Sequence, residues 1–154
     1  MQPFKQILAP VDFSAQAEHA LNVAADMARR YEAPVTIVHV WDPHYFSVPE
    51  SFLLYDEGQL PPLVARIEQQ LDLHKQQLLS AGVMQVKTRV LQGTPFAEIV
   101  RLAKAEHFDL VVMGTHGRAG FAHTLLGSVA ERVVRTAPCA VLTVRHPEQH
   151  HESV

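Results

Sequence analysis

Short apolar runs alternate with amphipathic stretches of helical period along almost the whole chain, and that alternation leaves few folds open. The first run, "KQILAPVD", ends at Pro10 and Asp12 and reads as a strand. Ser14 then caps a helix whose apolar positions Ala17, Leu21, Ala24 and Ala28 recur at helical spacing. "APVTIVHVW" is β-branched and almost continuously apolar, as expected of a strand covered on both faces. "PPLVARIEQQLDLHKQQLLSAG" sets Leu63, Ile67, Leu71 and Leu78 along one helical stripe and stops at Gly82. In "VKTRVL", Val86, Thr88 and Val90 alternate with Lys87 and Arg89, so one face is wet or the strand lies at an edge.

Gly93, Thr94 and Pro95 make a compact helix start, with Thr94 as cap and Pro95 at the first helical position. Phe96, Ile99, Val100 and Ala103 form that helix's buried stripe. "FDLVVMG" is a fourth strand, a fourth helix follows Ser128 and ends before Pro138, and "CAVLTV" is a fifth strand. The order βαβαβαβαβ predicts an α/β fold, a five-stranded parallel sheet with helices on both faces. The sequence contains no internal repeat and no domain boundary, so residues 1–145 are expected to form one domain and 146–154 a disordered tail. Residues 42–60 break the pattern as a long connection carrying Tyr45, Phe46, Phe52 and Tyr55. Such a segment serves either as a flap on the sheet edge or as a lid over a ligand.

Composition closes off several function classes. The chain has 154 residues, 47% hydrophobic and 19% charged, with a net charge of −3, which describes a globular protein without the basic face that nucleic acid requires. No run reaches the apolar length of a membrane helix, and the N-terminus lacks the pattern of a signal peptide. A cytoplasmic location is the resulting expectation. Cys139 is the one cysteine, so no internal disulfide can form; beside Pro138 and an apolar strand it reads as packing.

The glycines are distributed unevenly. Of seven in the chain, Gly114, Gly117, Gly120 and Gly127 fall in "MGTHGRAGFAHTLLGSVAERV", between the fourth strand and the fourth helix. In a doubly wound sheet ligands bind beyond the carboxyl ends of the strands, where the winding reverses. Glycines there allow backbone amides to approach an anion, and a helix start attracts phosphate. Ser128 has a second reading, because Ser128 and Glu131 have the capping-box spacing and the serine then only caps its own helix. The spacing matches neither the Walker loop nor the dinucleotide fingerprint. Residue chemistry alone stops at a possible phosphate loop.

Gly114-x-x-Gly117, nine residues, then Gly127-Ser128 resembles the G-2x-G-9x-G-(S/T) signature of the ATP-binding branch of the universal stress protein family. "ILAPVDFS" resembles that family's first strand and aspartate turn, "TIVHVWDP" its second strand and "APCAVLTVR" its last. The resemblance implies a Rossmann-like sheet of order 3-2-1-4-5. It implies that Asp12 and the backbone of Val40 lie beside adenine and ribose, with Pro10 and Val11 forming the wall. Met113 and Gly114 would line the ribose side. Gly117, Gly127, Ser128 and the amide of Val129 would hold the triphosphate, with Mg2+ bridging its oxygens. Arg118 is placed to reach a phosphate or to sit in solvent. His116, like His123, would either touch a phosphate or lie on the loop surface. The last strand, Ala140 to Val144, would pair with its copy in a homodimer, with a tetramer as an extension.

No catalytic group accompanies the loop. Asp12 is the acidic residue placed to point into the site, and it also reads as a plain turn residue capping the first helix. No lysine follows Gly127, where a phosphate-transferring loop would carry one. The turn "PVDFSAQAEHA" has no glycine, unlike dinucleotide folds. His146, His150 and His151 share the tail and read as adventitious metal binders. The expectation is therefore a non-enzymatic, ATP-dependent regulatory module acting on an unidentified protein partner. A slow ATPase and a nucleotide-independent scaffold are the alternatives.

Overall fold

The structure is a computed structural model that describes residues 4–44, 60–117 and 126–147. Nine elements follow in strict alternation: β1 (Ile7–Pro10), α1 (Ala15–Tyr31), β2 (Val35–Trp41), α2 (Leu60–Ser80), β3 (Val86–Gln92), α3 (Pro95–Ala105), β4 (Leu110–Gly114), α4 (Ser128–Thr136) and β5 (Ala140–Val144). All strand pairs are parallel, and the sheet order is β3-β2-β1-β4-β5, as the resemblance implies.

The period-2 alternation of the strands divides the core into two layers. Ile7, Ala9, Val35, Ile37, Leu110 and Val112 point to the face covered by α1 and α2. Leu8, Val38, Val111 and Met113 point to the face covered by α3 and α4. Ile7, Leu8, Val35, Val38 and Val111 are fully buried, which explains the unbroken apolar runs of the central strands. β3 is an edge strand with Lys87 exposed, in accord with its alternating sequence. β5 is the opposite edge, and Val141 to Val144 are each half-buried.

The helix ends follow their local chemistry. α1 is capped as expected, with the Ser14 hydroxyl accepting from the Ala17 amide at 3.2 Å. α2 closes on Gly82 at φ +95°, with Gly82 N donating to Leu79 O (3.1 Å) and Val83 N to Leu78 O (3.1 Å), a left-handed closure that glycine makes without strain. Thr94 does stand at the start of α3, followed by Pro95, but its hydroxyl makes no capping bond. The capping-box reading of Ser128 also fails. Gly127 is the N-cap of α4, Ser128 is its first helical residue, and the N-cap position makes no side-chain capping bond. Of the long 42–60 connection, Tyr45, Phe46, Phe52 and Tyr55 lie outside the described residues, as do His150 and His151 of the tail.

Candidate functional site

The sheet winds in opposite directions on either side of the β1/β4 pair. The chain leaves β1 for α1 on one face and β4 for α4 on the other, so the carboxyl ends of these strands border a crevice.

β1 delivers Asp12 to this crevice. The Val11 amide donates to Val38 O at 2.8 Å, and the backbone then turns through Phe13 at φ +63°. Asp12 Oδ1 accepts from the Ser14 amide (3.0 Å) and from the Ser14 hydroxyl (2.5 Å), so the carboxylate is held at the start of α1. The turn role foreseen for Asp12 is therefore real, and it occupies Oδ1. Oδ2 faces the glycine loop, so that a Cβ on Gly117 would overlap it. Any side chain at position 117 would have to displace the Asp12 carboxylate from the place where it is held.

β4 delivers the loop. Gly114 passes against the first turn of α1, where a Cβ would lie 3.4 Å from the Gln16 backbone. Thr115 N donates to Val144 O at 3.1 Å, tying the loop to β5. At its far end, Gly127 N donates to Thr115 O at 2.6 Å, and a Cβ on Gly127 would stand 3.1 Å from that same oxygen. The start of α4 is thus drawn against the exit of β4 at a distance no larger residue keeps without displacing backbone. The amides of Ser128, Val129 and Ala130 open the helix, and an α-helix offers such amides no internal carbonyl. Together with the helix dipole they form a docking point for an anion.

The remaining expected residues are distributed around this frame. Pro10 ends β1 half-buried and Val11 is buried. Val40 is half-buried near the end of β2, in register with Leu91. Met113 is buried in the α3/α4 core layer, so its side chain lies beneath the crevice. The loop-surface reading of His116 fails: the residue is 8% exposed, with Nδ1 3.1 Å from Thr115 Oγ1. Ser128 is exposed and Val129 half-buried. Arg118, Gly120 and His123 lie outside the described residues.

Sequence reasoning missed the company that Ser128 and Val129 keep. They line an open cleft of about 90 Å³ with Asp42, Thr94, Pro95, Phe96 and Arg132, and the Arg132 guanidinium lies 4.9 Å above the Phe96 ring. The uncapped starts of α3 and α4 both border this cleft. The G-T-P helix start was the visible signal, but its proximity to Ser128 depends on how α3 and α4 pack. Among the described residues no group of three or more His, Cys, Asp or Glu side chains is placed to hold a metal ion, and no helix is long and apolar enough to cross a membrane.

A doubly wound parallel sheet with a glycine turn at its switch point defines a Rossmann-like α/β protein. The comparisons narrow the class. The model of the universal stress protein family matches residues 3–145, and the chain belongs to that family. A Staphylococcus haemolyticus (strain JCSC1435) protein named as a universal stress protein is 38% identical over 149 residues, covering 96% of this chain and 88% of that one. The solved structure of hypothetical protein MJ0577 superposes with a TM-score of 0.81 at 31% identity, covering 93% of this chain and 96% of that one. A universal stress protein crystallised in complex with cAMP superposes with a TM-score of 0.70 at 25% identity, covering 92% and 97%.

Proposed function

We propose that this chain is an ATP-binding universal stress protein that acts as a nucleotide-dependent regulatory module rather than as an enzyme. One observation carries the reading. Gly117 and Gly127 stand where a Cβ would strike Asp12 and Thr115 O, so the absence of side chains there lets the Asp12 turn, the exit of β4 and the start of α4 come together. This supports the start of α4 as the place where a ligand's phosphates dock. The cAMP held by one structural relative supports an adenine nucleotide as ligand.

In this reading Asp12 receives the ribose hydroxyls, Pro10 and Val11 form the wall, and the Val40 backbone meets the adenine edge. Gly114, Gly117 and Gly127 let the backbone close in. The amides of Ser128 and Val129 and the Ser128 hydroxyl hold phosphate oxygens, and Arg118 supplies a positive charge. Met113 and His116 act from below, as packing that fixes the strand exit. Mg2+ bridges phosphate oxygens and draws few ligands from the chain itself. Bound nucleotide serves to stabilise one conformation that a partner protein reads. β5, half-buried and at the sheet edge, pairs with the same strand of a second copy.

The test is to denature freshly purified protein, separate released small molecules by ion exchange, and titrate the stripped protein with Mg-ATP by calorimetry. Near-stoichiometric ATP or ADP, or saturable binding lost in Gly127→Val, supports the site. An empty protein that also gives no heat moves the function to the nucleotide-independent scaffold, and rapid turnover of ATP moves it to the enzyme class.

A further inference from the structure

The backbone of β2 alternates in the direction of its hydrogen bonds. Val35 N donates to Gln85 O beside β3, whereas Pro34 O and Val38 O accept from Ile7 N and Val11 N of the β1 strand. Even-numbered residues of β2 therefore face β1, and the Val40 amide points the same way, into the gap where β1 leaves the sheet. Were the ladder continued by one step, that amide would donate to Val11 O. It does not: Val11 O is bound instead by the His39 side chain, with Nδ1 at 2.8 Å. Because a carbonyl only accepts, Nδ1 carries the proton. Among the described residues no backbone hydrogen bond crosses from the Val40 amide to Val11.

His39 is held in this pose from the α2 side. Its ring lies 4.6 Å from that of Phe13, and Phe13 stacks on His74 of α2 at 6.0 Å with an interplanar angle of 7°. Phe13 is also the residue held at φ +63°, a conformation that a bulky side chain adopts only when its surroundings impose it. The stack thus fixes the turn that carries Asp12 as well as the imidazole that holds Val11.

We infer that His39 is a positioning residue, which takes the Val11 carbonyl out of the ladder and so keeps the Val40 amide open to the edge of a nucleobase. The inference rests on the nucleotide reading for its ligand, but its first consequence is measurable without one. In the ligand-free protein the Val40 amide exchanges with solvent at least about tenfold faster than that of Ile37. The His39 ring is the Nδ1–H tautomer, with a hydrogen-bond coupling to the Val11 carbonyl carbon. In His39→Leu the ladder closes: the Val40 amide gains protection, and Mg-ATP affinity falls by roughly five- to tenfold, the equivalent of one hydrogen bond. His39→Asn, whose amide nitrogen can stand where Nδ1 stood, restores fast exchange and affinity; His39→Gln, reaching to the Nε2 position, does not.

A merely structural histidine would lower protection in H39L, so the sign of the change at Val40 decides the matter. An Nε2–H tautomer overturns the inference even if every variant unfolds, and so does a Val40 amide already protected in the ligand-free protein. A wild-type protein that shows the expected exchange pattern yet binds no Mg-ATP leaves His39 in its role and removes the nucleotide reading instead.

Discussion

Two helices begin at the same rim of the sheet, and they are built in opposite ways. α1 starts with side chains that satisfy its own backbone: Ser14 takes the Ala17 amide, and Asp12 takes the Ser14 amide and hydroxyl. α4 starts on Gly127, which has no side chain to give, and among the described residues no side-chain bond to its first amides is seen. A glycine N-cap costs only about a few tenths of a kcal/mol relative to serine, so α4 keeps its first amides free of a cap at little loss of stability. The difference teaches where a ligand is expected. A closed helix start is finished by folding, whereas in the proposed nucleotide reading the open one beside Gly117 and Gly127 is finished by an anion.

The comparison can be broken most severely at Gly127. Gly127→Val pushes a branched side chain against Thr115 O and shifts the α4 amides, so nucleotide affinity should fall about a hundredfold, the equivalent of two charge-assisted hydrogen bonds. Calorimetry reads this, with circular dichroism to establish that the fold persists. Next in size is the ligand's own effect on stability. Mg-ATP at about a hundred times its Kd should add about 2.7 kcal/mol and raise Tm by roughly 5–10 °C, read by scanning calorimetry in matched buffer.

Smaller effects sharpen the contrast. Ser14→Ala removes the α1 cap and should cost about 1 kcal/mol, lowering Tm by roughly 2–4 °C, in ligand-free protein and complex alike. Ser128→Ala should do the reverse, leaving the ligand-free Tm within about 1 °C while weakening the nucleotide several-fold. The least change is expected at Cys139, remote from both helix starts. Burial, and then the charge of Asp109, push its thiol above the ordinary range. A raised folded-state pKa contributes stability below the ordinary thiol pKa that is lost as pH rises through the raised value. Iodoacetamide should accordingly label Cys139 more slowly in the folded chain than in urea at the same mildly alkaline pH.

Much of the frame is readable from residues because burial and period coincide. The continuous apolar runs of β2 and β4 are central strands, the alternating "VKTRVL" is an edge, and Ser14 caps where its spacing puts it. What failed to read out depends on single dihedrals or on packing between distant elements. Gly127 or Ser128 at the N-cap gives nearly the same helix, so only the backbone angles decide that the serine does not cap. The same holds for Thr94, correctly placed at the start of α3 yet without a capping bond. His116 looked like a surface residue because it follows the last strand residue by two, but the start of α4 lies against it through the Gly127–Thr115 bond, and it is buried. Phe96 and Arg132 meet only because α3 lies on α4. The role of His39 required the sheet register, which no local pattern carries.

The most direct test of the contrast between the two helix starts is an amide-resolved nitrogen–proton NMR titration of the full chain with Mg-ATP. The account predicts that the amides of Ser128, Val129 and Ala130 shift and gain protection with one saturating isotherm, while those of Ala15, Gln16 and Ala17 keep theirs within a small fraction of that change. Equal responses at both helices, or none at α4, would contradict it.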